Sequence, residues 1–231
     1  MELARLLHTQ GFGTRRECAA LVLSGEVEVD GRRVDDPAAA FEPSGRVLRV
    51  RGESWPVHLP AIVMLHKPAG YECSTAPSAH ASVLALLPPP LRTRGVQPVG
   101  RLDADTTGLL VLTDDGALAH RLIHPRRHVP KVYEVDVKHP LAADAVERLL
   151  AGVVLRDDPS PARALACEAT GERSLRLTLT EGRYHQVKRM LAALGNRVEK
   201  LHRSGFGALR LPPELAPGHW RWVERAEDIT G

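Results

Sequence analysis

The chain has 231 residues, of which 43% are hydrophobic and 26% are charged, and its formal net charge is +3; this composition is typical of a globular protein with one large domain, or a medium and a small one. No run approaches the roughly 20 apolar residues of a membrane span, and the first residues lack the charged start and apolar core of a signal peptide. The three cysteines (Cys18, Cys73 and Cys167) show neither a disulfide framework nor zinc spacing, so we expect a protein of the reducing cytoplasm.

Residues 1–50 are predicted to form a small unit of their own. A leucine repeat predicts a first helix, and a capping box at Thr14 begins a second one. The turn Asp30-Gly31 between two alternating segments predicts a β-hairpin. Arg15 and Arg16 fall in the first turn of the second helix, where the helix dipole disfavours cations, and a bound phosphate would explain them there.

Residues 51–60 contain two prolines and no apolar period, so we predict a linker there and a second domain over residues 61–231. Apolar and alternating runs predict strands at 62–66, 109–112, 131–137, 175–179 and 198–201, helices at 117–123, 142–150 and 187–194, and a loop at 156–162.

The segment from Val99 to Gly116 concentrates charged residues, glycines and threonines in a turn before an apolar run. Arg101 and Asp103 lie two residues apart, on one side of the chain if it is extended there. A carboxylate held near an arginine stays ionised and positioned. That arrangement suits catalysis, and it suits equally a structural ion pair that fixes a turn.

Two other site types are compatible with the spacing of this turn. Asp103, Asp105 and Thr107 fit the D-x-D-x-T pattern of magnesium-dependent phosphohydrolases, and the acidic residues also fall at the spacing of a calcium loop. The phosphohydrolase would need an apolar strand before Asp103, where the sequence is polar and broken. The calcium loop would need helices on both sides, and Pro98 and the strand-like residues 109–112 argue against them.

Basic residues concentrate near the C-terminal part of the second domain. Residues 183–210 carry a net charge of +6 from lysine, arginine and a single glutamate. Such a cluster fits a polyanionic partner, and it fits a solvated basic face equally well.

Four motifs of the second domain occur in an order that resembles the RsuA/RluB/RluE/RluF branch of the rRNA pseudouridine synthases. They are His66-Lys67-Pro68-x-Gly70, Gly100-Arg101-Leu102-Asp103-x-x-Thr106-x-Gly108-Leu109-Leu110, Lys131-x-Tyr133, and Glu181-Gly182-Arg183-Tyr184-His185-Gln186-Val187-Lys188-Arg189-Met190. Residues 7–17 and 25–31 likewise resemble the αL RNA-binding module first described in a small-subunit ribosomal protein. The positive and negative charges of residues 1–34 cancel, so we expect that module to bind RNA only weakly on its own.

This resemblance implies an α+β protein with a small αL RNA-binding domain and a catalytic domain whose central, mostly antiparallel mixed sheet is flanked by helices. It implies an isomerase that converts a uridine of ribosomal RNA to pseudouridine without a metal or cofactor. Nothing in the sequence indicates an obligate dimer, so we expect a monomer. The sequence around His185 is most like the small-subunit (16S) enzyme; a large-subunit (23S) enzyme of the same branch is the alternative. A non-catalytic RNA-binding assembly factor is a third hypothesis.

The resemblance also implies roles for individual residues. Asp103 is the catalytic carboxylate, Lys188 is the cation that pairs with it, and Arg101 supports the site. Tyr133 stacks on the flipped uracil and is a candidate base for the proton that leaves carbon 5. The expected RNA contacts are Arg15, Arg16, Lys67, Arg183, His185, Gln186, Arg189 and Arg203.

Overall fold

A computed structural model describes residues 1–230, apart from the Pro125 side chain, so Gly231 of the predicted second domain lies outside the described residues. The helices are α1 (Leu3–Thr9), α2 (Arg15–Leu23), α3 (Pro89–Thr93), α4 (Gly116–Ile123), α5 (Ala145–Ala151), α6 (Gln186–Ala193) and α7 (Glu227–Thr230), with 3₁₀ turns at Val83–Leu86 and Pro125–Arg127. The strands are β1 (Val27–Val29), β2 (Arg32–Arg33), β3 (Val47–Val50), β4 (Glu53–Pro56), β5 (Ile62–Lys67), β6 (Tyr71–Glu72), β7 (Ala81–Ser82), β8 (Gln97–Pro98), β9 (Thr107–Thr113), β10 (Lys131–Val137), β11 (Val153–Leu155), β12 (Asp158–Ala162), β13 (Ala166–Gly171), β14 (Ser174–Leu179), β15 (Val198–Phe206), β16 (Leu209–Arg210) and β17 (Trp220–Trp222).

The N-terminal module packs α1 and α2 beside a four-stranded sheet of order β2-β1-β3-β4. The capping box forms as predicted: Thr14 Oγ1 accepts a hydrogen bond from Glu17 N at 3.3 Å, and the Glu17 carboxylate accepts one from Thr14 N at 2.7 Å. The sheet extends further than expected, because β4 lies inside the segment 51–60 predicted as a linker. The strand forms because β4 pairs with β3 and buries the Trp55 side chain, which is 9% exposed.

The second domain is built on a large sheet of order β13-β14-β10-β15-β9-β5-β17, with β16 beside β15 and β8 beside β9. Its neighbouring strands are antiparallel except for the parallel pair β9 and β15. The predicted α+β class with a mostly antiparallel mixed sheet is therefore confirmed.

The strands β9 and β15 approach each other closely at Gly108. A Cβ atom at that residue would lie 2.3 Å from the carbonyl oxygen and 2.6 Å from the backbone nitrogen of Arg203, and its φ of +111° is one that other residues rarely adopt. Glycine is thus required where the predicted catalytic turn enters the sheet.

Two segments of the second domain differ from their predictions. Residues 156–162, predicted as a loop, contribute β12 to a hairpin with β11, since prolines are tolerated in edge strands. The helix predicted over 142–150 begins at Ala145, because Leu141 N is tied to the Glu172 carbonyl oxygen at 2.8 Å before the helix starts.

The N-terminal module shares its hydrophobic core with the large sheet. Leu7 of α1 belongs to the same buried cluster as Leu110 of β9, and Trp55 of β4 stacks edge-on against Trp222 of β17 with ring centroids 5.3 Å apart. No helix within residues 1–230 is long and apolar enough to cross a bilayer.

Candidate active site

The loop between β8 and β9 carries Asp103 and is held from below by Lys67 at the end of β5. The Lys67 ammonium donates hydrogen bonds to the carbonyl oxygens of Pro68 (3.0 Å), Ala104 (3.2 Å) and Thr106 (2.7 Å). Lys67 is fully buried, and burial lowers its pKa. The RNA contact predicted for Lys67 does not fit this burial; the side chain instead fixes the backbone on both sides of Asp105.

Asp103 faces two basic side chains at the start of α6. Its Oδ2 lies 3.0 Å from Lys188 Nζ, and its Oδ1 lies 3.2 Å from His185 Nε2. His185 is the N-cap of α6 in a left-handed conformation (φ 47°). The pairing of Asp103 with Lys188 agrees with the role that the sequence motif implied, whereas the contact of His185 with the carboxylate was not foreseen.

Lys188 also binds Asp105, at 2.7 and 2.9 Å from its two carboxylate oxygens. Burial opposes the charged ammonium, but the hydrogen bonds that it donates to Asp105 and Asp103 outweigh burial and raise the pKa of Lys188. For Asp105, burial raises the pKa and the Lys188 hydrogen bond lowers it, with a net lowering. An ammonium thus lies between the two carboxylates.

A cavity of about 630 Å³ opens beside Asp103. Tyr133 of β10 lines it, and its half-buried ring is fixed by packing against the core on both sides. Arg101 is exposed at the same cavity. Three of the four residues predicted to be catalytic (Asp103, Tyr133 and Arg101) therefore line one space of nucleotide size, and the fourth, Lys188, adjoins it through its contact with Asp103.

Lys131 and Arg203 form a second basic pair in this cavity. Lys131 is 8% exposed and Arg203 is 2% exposed, and both lie against the Phe206 ring, at 5.6 and 5.4 Å from its centroid. Burial, followed by the like charge of Arg203, lowers the pKa of Lys131 to about 8. The sequence pattern gives no role to Lys131, because alternation along a strand does not indicate that a lysine is buried.

The other predicted RNA contacts divide into exposed and occupied side chains. Arg15 and Arg16 are exposed at the start of α2. Arg183 is held by Asp158 and Glu181, at 3.0 and 3.2 Å.

Gln186 and Arg189 also have protein partners. Gln186 is 5% exposed and its amide is already used within the protein, since Nε2 donates to Glu181 at 2.6 Å and Oε1 accepts from Arg183 N at 2.9 Å. Arg189 pairs with Asp157 and donates to the Tyr184 carbonyl oxygen at 2.9 Å. Tyr184 itself, which the sequence analysis did not single out, is 75% exposed at the cavity rim.

Residues 61–193 match the family model described as RNA pseudouridylate synthase, and residues 1–47 match that of the S4 domain. Ribosomal small subunit pseudouridine synthase A of Escherichia coli (strain K12) is 40% identical over 94% of both chains. An uncharacterized RNA pseudouridine synthase of Bacillus subtilis (strain 168), YtzG, is 39% identical over 98% of this chain and 96% of its own. A crystal structure of a pseudouridylate synthase aligns with 100% of this chain and 99% of its own, with a TM-score of 0.70 and 30% identity.

Proposed function

This chain belongs to the RNA pseudouridylate synthase family, and we propose that it converts a uridine of small-subunit (16S) ribosomal RNA to pseudouridine. The observation that carries the proposal is Asp103, which lies 3.0 Å from Lys188 at the wall of a cavity that Tyr133 also lines. This geometry presents a carboxylate and a flat ring to a single nucleotide.

The proposed reaction begins when the target nucleotide leaves its base stack, at a cost of a few kcal/mol. The N1–C1′ bond breaks, the uracil turns, and a C5–C1′ bond forms while the C5 proton departs and N1 gains a proton. Asp103 either attacks C1′ or removes a ribose proton, and Lys188, 3.0 Å from its Oδ2, orients the carboxylate in both cases. Tyr133 stacks on the uracil, and its phenol oxygen accepts the C5 proton as its own hydroxyl proton passes to solvent, which in turn supplies the proton to N1. The balance of this isomerisation requires no redox or phosphoryl step.

Small-subunit RNA is the substrate favoured by the relatives. The E. coli protein that is 40% identical is named for the ribosomal small subunit. The motif Tyr184-His185-Gln186, which is most like the small-subunit enzyme, includes the histidine that contacts Asp103. Large-subunit (23S) RNA is the alternative substrate that the assay below must include.

RNA contacts outside the cavity come from the S4 module in this proposal. Arg15 and Arg16 are exposed at the first turn of α2, where Thr14 caps the helix. A phosphate bound at that turn would compensate both cations and would use the backbone N–H groups of the helix start. We propose that the protein acts in the cytoplasm as a monomer.

The test is release of tritium from C5-labelled uridine in 16S ribosomal RNA, with a chelator present. Wild-type protein should release tritium, and Asp103→Asn should not, although its fold and RNA affinity are retained. Near wild-type turnover by Asp103→Asn would overturn the assignment of the catalytic residue. Release from 23S RNA alone would move the substrate to the large subunit, and RNA binding without release from either would indicate an assembly factor.

Asp105→Asn is the matched control, because it alters a carboxylate of the same loop and leaves Lys188 paired with Asp103. We expect it to lose far less activity than Asp103→Asn. Equal loss in the two variants, together with inhibition by the chelator, would support the phosphohydrolase instead.

A further inference from the structure

The cavity contains two cations that the catalytic assignment above does not use, Lys131 of β10 and Arg203 of β15. They are 8% and 2% exposed. The register of the sheet pairs Arg203 of β15 with Tyr133 of β10. Lys131 lies two residues before Tyr133 in the same strand. Both cations therefore line the same space as the predicted stacking ring.

Neither cation is matched by an anion of the protein. Within residues 1–230, Lys131 and Arg203 form no ion pair with a carboxylate at the distances that join Lys188 to Asp103. The Arg203 guanidinium donates from Nε to the Leu109 carbonyl oxygen at 2.8 Å, whereas its enclosed Nη2 has no partner among the described residues. The charge acting on Lys131 is the like charge of Arg203.

Two buried cations side by side are unfavourable unless something compensates them. The Phe206 ring, which both approach, contributes a cation–π interaction, which is weak compared with the free-energy cost of burying a charge. The missing partner must be anionic and must enter through the cavity. The RNA backbone carries one negative charge per nucleotide and must pass this place if a base lies against Tyr133.

We propose that Lys131 and Arg203 form an anion subsite that binds one backbone phosphate adjoining the flipped uridine; this inference rests on the proposed function. A phosphate there is anchored on the sheet while Asp103 meets the ribose from the loop and Tyr133 meets the base. The three parts of the nucleotide are thus held by three different elements. A neutral uracil carbonyl would leave the two charges uncompensated, so phosphate is the favoured occupant.

The experiment measures KM and kcat on the RNA fragment that contains the target uridine, for the wild type, Lys131→Met and Lys138→Met. Lys138 is an exposed lysine that directly follows β10, so its replacement removes the same charge outside the cavity. We expect Lys131→Met to raise KM about 10-fold or more, as is typical for a lost charge-assisted hydrogen bond, and Lys138→Met to leave it unchanged.

A second arm neutralises the phosphate instead of the protein. A methylphosphonate replaces the linkage on the 5′ side of the target uridine in one RNA and on the 3′ side in another. One of the two should raise the wild-type KM about 10-fold or more, by the same loss of a charge-assisted hydrogen bond. It should raise the KM of Lys131→Met little further, because the partner is already missing.

Two results would overturn the inference. The first is a KM for Lys131→Met equal to that of the wild type. The second is that the KM increases caused by Lys131→Met and by the methylphosphonate multiply at both linkages. That result would mean that Lys131 contacts another part of the RNA. Because the wild-type protein must turn over for either result to be obtained, these failures are distinct from failure of the proposed function, in which no tritium is released. The methylphosphonate arm uses wild-type protein as well, so it tests the subsite even if the variant folds poorly.

Discussion

Lys188 is the residue on which both carboxylates of the catalytic loop depend. Its ammonium lies 3.0 Å from Asp103 and 2.7 Å from Asp105. Without it, two negative charges would face each other, and Asp103 would lose the contact that orients it. We predict that Lys188→Met lowers the rate of the chemical step by about 100-fold or more and leaves RNA affinity little changed. A single-turnover tritium assay measures this rate. An unchanged rate would mean that His185 alone positions the carboxylate.

Lys131 gives a prediction about stability in the absence of RNA. Its pKa falls from an ordinary value of 10.5 to about 8, so the unfolded chain binds the proton more tightly than the folded protein. The protonated side chain therefore destabilises the fold, fully below pH 8 and progressively less as the pH rises toward 10.5. At pH 7, Lys131→Met should melt at a higher temperature than the wild type. Its free energy of unfolding should be larger by roughly 2–4 kcal/mol.

That gain should shrink between pH 8 and pH 10.5, because the wild-type lysine loses its proton over this interval. Thermal unfolding of both proteins across this range checks the effect, and the comparison cancels groups that titrate in both. A variant that melts at or below the wild type at pH 7 would show that the ammonium stabilises the free protein. A higher melting temperature of Lys131→Met together with weaker RNA binding distinguishes a binding residue from a structural one.

Sequence motifs were a good guide to which residues meet at the site and a poor one to which of them are buried. The order of motifs correctly implied that Asp103 and Lys188 pair, although 84 residues separate them in sequence. It also implied RNA contacts for Lys67 and Gln186, which the structure buries against backbone carbonyls and Glu181. Burial depends on the strand register, here Tyr133 beside Arg203, and that register joins segments too distant for any local pattern to specify.

At the scale of elements, the parallel pair of β9 and β15 positions the catalytic loop. Gly108 permits the close approach, since a Cβ atom would meet the Arg203 backbone at 2.3 Å. We predict that Gly108→Ala destabilises the protein by about 3 kcal/mol or more, because it combines backbone strain with a clash that only strand separation can relieve. Urea denaturation measures this. Gly116→Ala is the control, because that glycine is helical and nothing lies within 4 Å of its Cβ position.

The elements with a strong internal period were predicted nearly as they stand, including β9, β10, β14, α4 and α6. The strands β4 and β12 were not, because each is short and contains proline. Such segments become strands through their pairing with β3 and β11 rather than through their own propensity. The missed strands therefore reflect hydrogen bonds to partners, which a local pattern does not record.

At the scale of the whole molecule, the N-terminal module is joined to the catalytic domain by a buried polar network. Arg94, whose side chain is 2% exposed, binds Asp114 at 2.7 Å, the Gln10 side chain at 3.0 Å and the His58 carbonyl oxygen at 2.9 Å. The two-part organisation suggests deletion of residues 1–50 as a test of RNA binding. The shared core means that such a deletion would also remove Gln10, a partner of Arg94, and open the buried cluster that Leu7 shares with Leu110, so point variants are the cleaner experiment.

We predict that the double variant Arg15→Gln and Arg16→Gln weakens RNA binding and reduces its dependence on salt, by about one to two units in the log–log slope. The melting temperature and the kcat at saturating RNA should be unchanged, since both side chains are exposed and lie outside the cavity. Filter binding at several salt concentrations gives the slope. An unaltered affinity would remove the start of α2 from the RNA-binding surface.

The edge-to-face contact of Trp55 with Trp222 and the enclosed Arg94 network have a consequence for substrate choice. A module anchored by these contacts holds the start of α2 at one separation from Asp103. A uridine is then modified only when the fold of the RNA places a backbone segment at the start of α2 while the uridine lies at Asp103. Two RNAs with the same local sequence but different folding would be treated differently, and the modification would record which stage of folding the RNA had reached.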